Sequence, residues 1–363
     1  MFFLMVLLYI IASCPFYFGV VSYIAILLIV VINLVSKKLS PIRYFFMCSI
    51  TFFLLINTLR LGAFSEMDLI PFNFSLQLIL LCSLDLKKGK DISIIYTSLS
   101  LQVALSLLFG LWGYMSNNFI MLVDAEQAKG IAGFYALRGL YSTPQILASI
   151  SVLLIVLSVM LGIKSRRNQV VLVMSMTSLL LSLNRVNILV LCILAGLCMF
   201  KLVRHKILLL VLISTILVIL MLSIDNTNNF MNAATLDSRL LLIKGVISTI
   251  DITSVSDVMF GDFKSFSFYL PQYFIHVSYV ENGFLSILKY FGVFGLFAYI
   301  GSALYLVLNL VKNKMYILSI YATCYFFIVQ NMTHEFVHII FPLLFTMFLA
   351  FTNHKSLRFN PNY

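Results

Sequence analysis

The sequence predicts an all-α, polytopic membrane protein: one integral membrane domain over residues 1–363, built as a bundle of about 12 transmembrane helices. Three observations lead there. The 363-residue chain is 62% hydrophobic and only 10% charged, with a mean hydropathy of +1.06, whereas a soluble domain is typically about 25% charged. Uncharged apolar runs long enough to span a bilayer recur from one end to the other. Hydrocarbon admits only helices or closed barrels, so runs of this length mean helices. Finally, the breaks between runs alternate in the sign of their charge.

The opening run MFFLMVLLYII has no basic segment ahead of it and no small-residue cleavage site, so a retained span is expected and not a signal peptide. The first 35 residues are uncharged and too long for one span, and Cys14, Pro15 and Gly19 punctuate them as a hairpin of two. Further spans are predicted at 44–64, 72–86, 92–113, 146–163, 169–183, 187–203, 207–224, 283–311, 315–332 and 339–352. The total is twelve, or eleven if the leading run crosses once. The six cysteines lie within apolar runs, a pattern of packing and not of disulfides or zinc.

Charge orients these helices. Sixteen of the 24 basic residues and one of the 13 acids fall in SKKLSPIR (36–43), KKGKD (87–91), KSRRNQ (164–169), KLVRHK (201–206), KNK (312–314) and the tail NHKSLRFNPNY. The other breaks hold the acids: Glu66 and Asp68, Asp124 and Glu126, the group from Asp225 to Glu281, and Glu335. By the positive-inside rule the basic set is cytoplasmic and the acidic set external. The net charge of +11 is thus a topology signal and gives no reason to invoke nucleic acid. Two external segments, 114–145 and 225–282, are far longer than a connection needs, and long loops tend to carry function.

Several charged residues need more than a topological reason. Arg185 lies in LLSLNRVNILV, where two helices must fit between Asn168 and Phe200. At roughly 16 residues each they reach ~24 Å against a hydrocarbon thickness of ~30 Å, which puts Arg185 at or just below the outer headgroups. There it either snorkels or grips a lipid-linked phosphate with its bidentate fork. Arg239, in LDSRLLLIKGVISTI, falls within the helical arc of Leu236, Leu240, Leu242, Ile243, Val246, Ile247 and Ile250, opposite Asp237, Lys244 and Ser248. An interfacial helix keeps its cations on the polar face, so Arg239 calls for a snorkelling route, an acidic partner or an anionic ligand. Glu281 opens VENGFLSILKYFGVFGLFAYIG and is either a dipole-stabilised acid or a general base, with Asn282 and Lys289 on one face beyond it. Glu66 and Asp68 read as a solvated loop. His334, Glu335 and His338 spell HExxH, the zinc-protease spacing. A third ligand is wanting, however: no acid follows Glu335, His354 lies in the basic tail, and Pro342 interrupts the helix.

Taken together, SLNRVNILVLCILAG, then DSRLLLIKGVISTI and FGDFKSFSFY, then VENGFLSILKYFGVFGLFAYIG, resemble the Wzy-type O-antigen polymerase and ligase superfamily. Its members carry an arginine at the outer end of a mid-chain helix pair and a long periplasmic loop opened by an arginine on a helix. A His-Asn or acid-Asn pair with spaced glycines comes later. Arg185, Arg239, Gly261, Asn282, Gly292 and Gly295 match this pattern, over about residues 170–301. Glu281 stands where the ligases carry histidine, which favours a polymerase, and His276 is a second candidate base.

The resemblance implies a GT-C-like glycosyltransferase of the bacterial inner membrane, its site facing the periplasm and working without a nucleotide sugar; no cofactor and no metal ligand is assigned. It would move a growing glycan from undecaprenyl pyrophosphate to the next lipid-linked repeat. Catalytic roles fall to Arg185 and Arg239 at the pyrophosphate and to Glu281 as base. Arg138, His276, Asn282, Lys289, His334 and Glu335 are expected to contact substrate. The implied partners are the lipid-linked oligosaccharide and membrane lipid, with room for a chain-length regulator. An intramembrane zinc protease and a lipid-linked oligosaccharide flippase are the alternatives.

Overall fold

The computed structural model describes residues 1–36, 41–61, 68–84, 90–125, 133–162, 165–202, 234–250, 253–270, 275–277, 282–332, 335 and 338–353. The protein is mostly helical, and helices occupy every span predicted within those residues; the span at 207–224 lies outside them. The leading run forms the expected hairpin of α1 (Phe2–Ala12), a single turn α2 (Pro15–Phe18) and α3 (Val20–Ser36). Pro15 starts the middle turn and Gly19, at φ +50°, ends it. Helices α4 (Pro41–Leu61), α5 (Leu69–Ser83) and α6 (Lys90–Met115) follow.

Beyond the first long segment come α7 (Pro144–Met160), α8 (Arg166–Leu181) and α9 (Arg185–Leu202). The second long segment contributes α10 (Ala234–Ser248) and α11 (Val255–Phe260). Last are α12 (Gly283–Lys312), α13 (Tyr316–Met332) and α14 (Ile340–Asn353). By length and composition Pro41–Arg60, Asp91–Met115 and Gly283–Lys312 are able to cross a membrane, and the shorter apolar helices run to 10–17 residues.

The all-α expectation needs one refinement. Each long segment folds a two-stranded antiparallel ribbon: β1 (Leu122–Asp124) with β2 (Tyr135–Leu137), and β3 (Phe268–Leu270) with β4 (Ile275–Val277). Three-residue strands are too short for a period-two pattern to stand out from noise.

Helix α7 is the hub. Ile146 to Ser158 are all buried, as befits a helix apolar on every side, while α4 turns Ile42, Phe45, Phe52 and Leu59 outward. Such exposed apolar surface suits lipid contact and not water. Beside α7 an aromatic block of Tyr299, Tyr321, Tyr325, Phe326, Phe341 and Phe348 packs edge-on and tilted, with Tyr299 stacked on Phe341. In a bilayer this close packing, and not water exclusion, holds helices together. Cys14 and Cys324 are buried, but Cys48 and Cys192 are exposed, so only some of the cysteines serve packing.

The described contacts gather the long segments at one end of the bundle. Tyr17 Oη donates to Gly139 O at 3.0 Å, Ser142 Oγ lies 3.4 Å from His338 Nε2, and the Asp68 N–H donates to Phe263 O at 2.9 Å. At the opposite end the helix termini that border basic breaks meet: Arg43 bonds Leu84 O, and Arg167 donates to Thr97 Oγ1 at 2.9 Å.

Candidate functional site at the loop-bearing end

Two polar clusters sit at that end. The first is built on the turn between α8 and α9. Leu183 adopts φ +50°, a left-handed conformation unusual for a branched residue and a mark of a turn held by its surroundings. Asn184 then caps α9, its Oδ1 accepting from the Asn187 N–H at 2.9 Å. Arg185 is therefore the first residue of α9, where the helix dipole and the guanidinium add their positive charge, an arrangement suited to an anion.

From this cap a thread of hydrogen bonds runs into the core. Asn187 Nδ2 donates to Asn184 Oδ1 at 3.2 Å and to Ser149 Oγ at 3.1 Å, and Ser149 Oγ donates to Glu335 Oε1 at 2.7 Å. Tyr321 Oη closes the same region by donating to Ser149 O at 2.8 Å. Glu335 is only 1% exposed, and the phenols of Tyr299, Tyr321 and Tyr325 lie within electrostatic reach of its carboxylate. Buried ionisable groups inside a membrane bundle are expensive to keep and commonly mark function. A π-helical turn at Tyr325–Val329, just before this acid, points the same way.

Glu335 precedes α14, which begins at Ile340. Glu335 faces Ser149, whereas His338 Nε2 faces Ser142. His334 lies outside the described residues.

The second cluster joins α4, α5, α11 and α12. Lys289, predicted to touch substrate, is buried with its Nζ 3.2 Å from Asp262 Oδ2, and the Asp262 N–H donates to Lys289 O at 2.9 Å. Next to it Tyr290 Oη donates to Asp68 Oδ2. Asp68 does not sit in a solvated loop as expected: it caps α5, Oδ1 accepting from the Ile70 N–H at 3.0 Å. Glu66 is outside the described residues. Arg60 pairs with Asp257 and donates to Ser256 Oγ at 3.1 Å and Asn57 Oδ1 at 3.2 Å. Between these groups lies a polar cleft of about 280 Å³, which Lys264 also lines.

Two glycines make this cluster possible. Gly292 breaks α12 with φ +66°, and a Cβ there would come within 2.4 Å of the Met259 backbone and 2.6 Å of Gly261 N. Gly261, at φ +81°, lies as closely against the Tyr290 carbonyl. Gly261 and Gly292 thus mark one backbone-to-backbone crossing, which seats the Asp262 loop on the kink of α12, whereas the third matched glycine, Gly295, lies against Phe291 of its own helix.

The remaining predicted residues fall as follows. Asn282 caps α12, its Oδ1 accepting from the Leu285 N–H at 3.0 Å. His276 is exposed on β4, its ring 5.1 Å from that of Tyr269. Arg138 stacks 4.4 Å over Phe16 and donates to Ile120 O at 3.1 and 2.7 Å, bracing the first ribbon against the N-terminal hairpin. Arg239 belongs to α10, but its side chain, like Glu281, lies outside the described residues. Along that helix Val246 is buried and Lys244 and Ser248 are exposed, as the arc requires, yet Ile247 is exposed too.

Comparison with protein-family models, with curated proteins and with solved structures gave no match.

Sequence reasoning did not single out Ser149, Asn187 or Asp262. The first two carried a faint signal: polar residues in apolar runs, Asn187 only two residues from Arg185.

Proposed function

We propose that this chain is a polysaccharide polymerase of the bacterial inner membrane: a GT-C-like bundle of about twelve crossings with its working site on the periplasmic face. It transfers a growing glycan from undecaprenyl pyrophosphate to a hydroxyl of the next lipid-linked repeat. One observation carries this reading. Arg185 starts a helix at the loop-bearing end, and its cap is tied through Asn187 and Ser149 to the buried carboxylate of Glu335. That turn belongs to the first of the three stretches that resemble the polymerase superfamily.

The chemistry asks for what such a turn offers. As the bond from the sugar to the lipid pyrophosphate breaks, the leaving pyrophosphate gains negative charge. A fixed guanidinium and a helix N-terminus aimed at it stabilise the transition state more than the ground state. Arg185, with Arg239 on the second long segment, takes this role. Glu281, next to the Asn282 cap, accepts the proton of the attacking hydroxyl. Glu335 does not meet the sugar; it anchors the cap that aims Arg185. The polar cleft beside Arg60 and Lys264 offers hydroxyl and charged groups to a glycan at the same end.

Replacing Arg185 by alanine in cells deleted for the gene should leave a single repeat on the surface lipid, with the membrane level of the protein unchanged. Arg185→Lys should restore only a small part of the chain length, since a point charge lacks the bidentate fork. Full-length polymer from Arg185→Ala would remove this residue from the site.

A further inference from the structure

At the opposite end, α6 and α8 enclose a groove of about 460 Å³ that plays no part in the proposed transfer. Its volume is that of a ligand site. Arg166 and Arg167 line it together with Leu101, Ala104, Val170 and Met174. The start of α8 lies beside Tyr96 and Thr97, two turns into α6, and the lining continues from there to Ala104 and Met174, so the arginines mark one end of the groove. The apolar side chains continue along α8 to Met174, about 12 Å further at 1.5 Å per residue.

The two cations are held differently. Arg167 donates to Thr97 Oγ1 at 2.9 Å and stacks 5.3 Å over Tyr96, which fixes its plane and leaves other donors open. Arg166 is exposed beside it, and among the described residues no acid or hydroxyl holds it. A pinned guanidinium, a second exposed one and an apolar channel leading away from both complement a molecule with an anionic head and a hydrocarbon tail. The groove opens on α6, one of the helices able to cross a membrane, so such a molecule reaches it from within the bilayer.

We infer that this groove binds one anionic glycerophospholipid, its phosphate on Arg166 and Arg167 and an acyl chain between α6 and α8. Each basic side chain at an anionic lipid surface favours binding by about five-fold, so the pair should select by headgroup and not merely collect surrounding lipid.

The test uses the full chain in nanodiscs with photoactivatable phosphatidylglycerol or phosphatidylcholine bearing the same diazirine acyl chain, and adducts mapped by mass spectrometry. Phosphatidylglycerol should label Leu101, Ala104, Val170 or Met174 at least about ten-fold more than phosphatidylcholine. Arg166→Ala should cut that labelling about five-fold, and Arg166→Lys should keep most of it. Ala104→Trp, which fills the groove and leaves the charges, should abolish it for both lipids. Equal labelling by the two headgroups, adducts only elsewhere, or labelling indifferent to Arg166→Ala would overturn the inference.

Discussion

Glu335 shows how much depends on one side chain's neighbours. A carboxylate this deep stays tolerable through bonds such as the 2.7 Å one from Ser149 Oγ. Ser149→Ala should therefore cost about 1–2 kcal/mol in detergent unfolding. Because the Arg185 cap hangs on the same hydroxyl, it should also shorten polymer, an effect that Ser151→Ala, in the same helix, should not produce. Lys289 follows a different logic. Its ion pair with Asp262 is largely buried, so Lys289→Met leaves an uncompensated acid and should cost about 3 kcal/mol, the low end for a broken buried pair because Asp262 keeps some solvent contact. Joining it to Asp262→Leu should recover most of the lost Tm. If the double variant is no more stable than the single one, the pair is not what holds this corner.

At the scale of elements, hydropathy made the helices legible because a spanning segment must be long and nearly uncharged, and few alternatives share that pattern. The ribbons in the long segments escaped notice because three residues cannot display a period. The HExxH spacing, set aside in the sequence for want of a third ligand, encodes one helix face; of its residues, Glu335 takes the Ser149 hydroxyl and His338 faces Ser142. Gly261 and Gly292 were legible as a pattern, and their physical reason is that the two backbones cross there. Gly292→Ala combines a disfavoured φ with a Cβ driven into backbone that cannot rotate away. It should destabilise by about 1–3 kcal/mol and loosen the Asp262 loop, seen as faster amide exchange over 257–264. Wild-type exchange there would mean that the crossing is not tight.

For the whole molecule, the alternation of charge along the chain has a structural counterpart. The long segments are tied to one end of the bundle through Tyr17, Asp68 and Ser142, and the termini beside basic breaks meet at the other through Arg43 and Arg167. Of the candidate site, Arg185 was legible because a lone cation between apolar runs is conspicuous. Its connection to Glu335 was not, since 150 residues separate them and only packing around α7 brings Ser149 between them. The division of labour proposed here follows from that arrangement: glycan chemistry at the loop-bearing end, lipid selection at the other.

The most direct test is to give the purified chain one defined undecaprenyl-pyrophosphate-linked repeat and resolve the products by length. The wild type should yield a ladder of lipid-linked oligomers with release of undecaprenyl pyrophosphate, and Arg185→Ala should return the repeat unextended. A ladder of equal length from Arg185→Ala, or no extension by a folded wild type, would contradict the account.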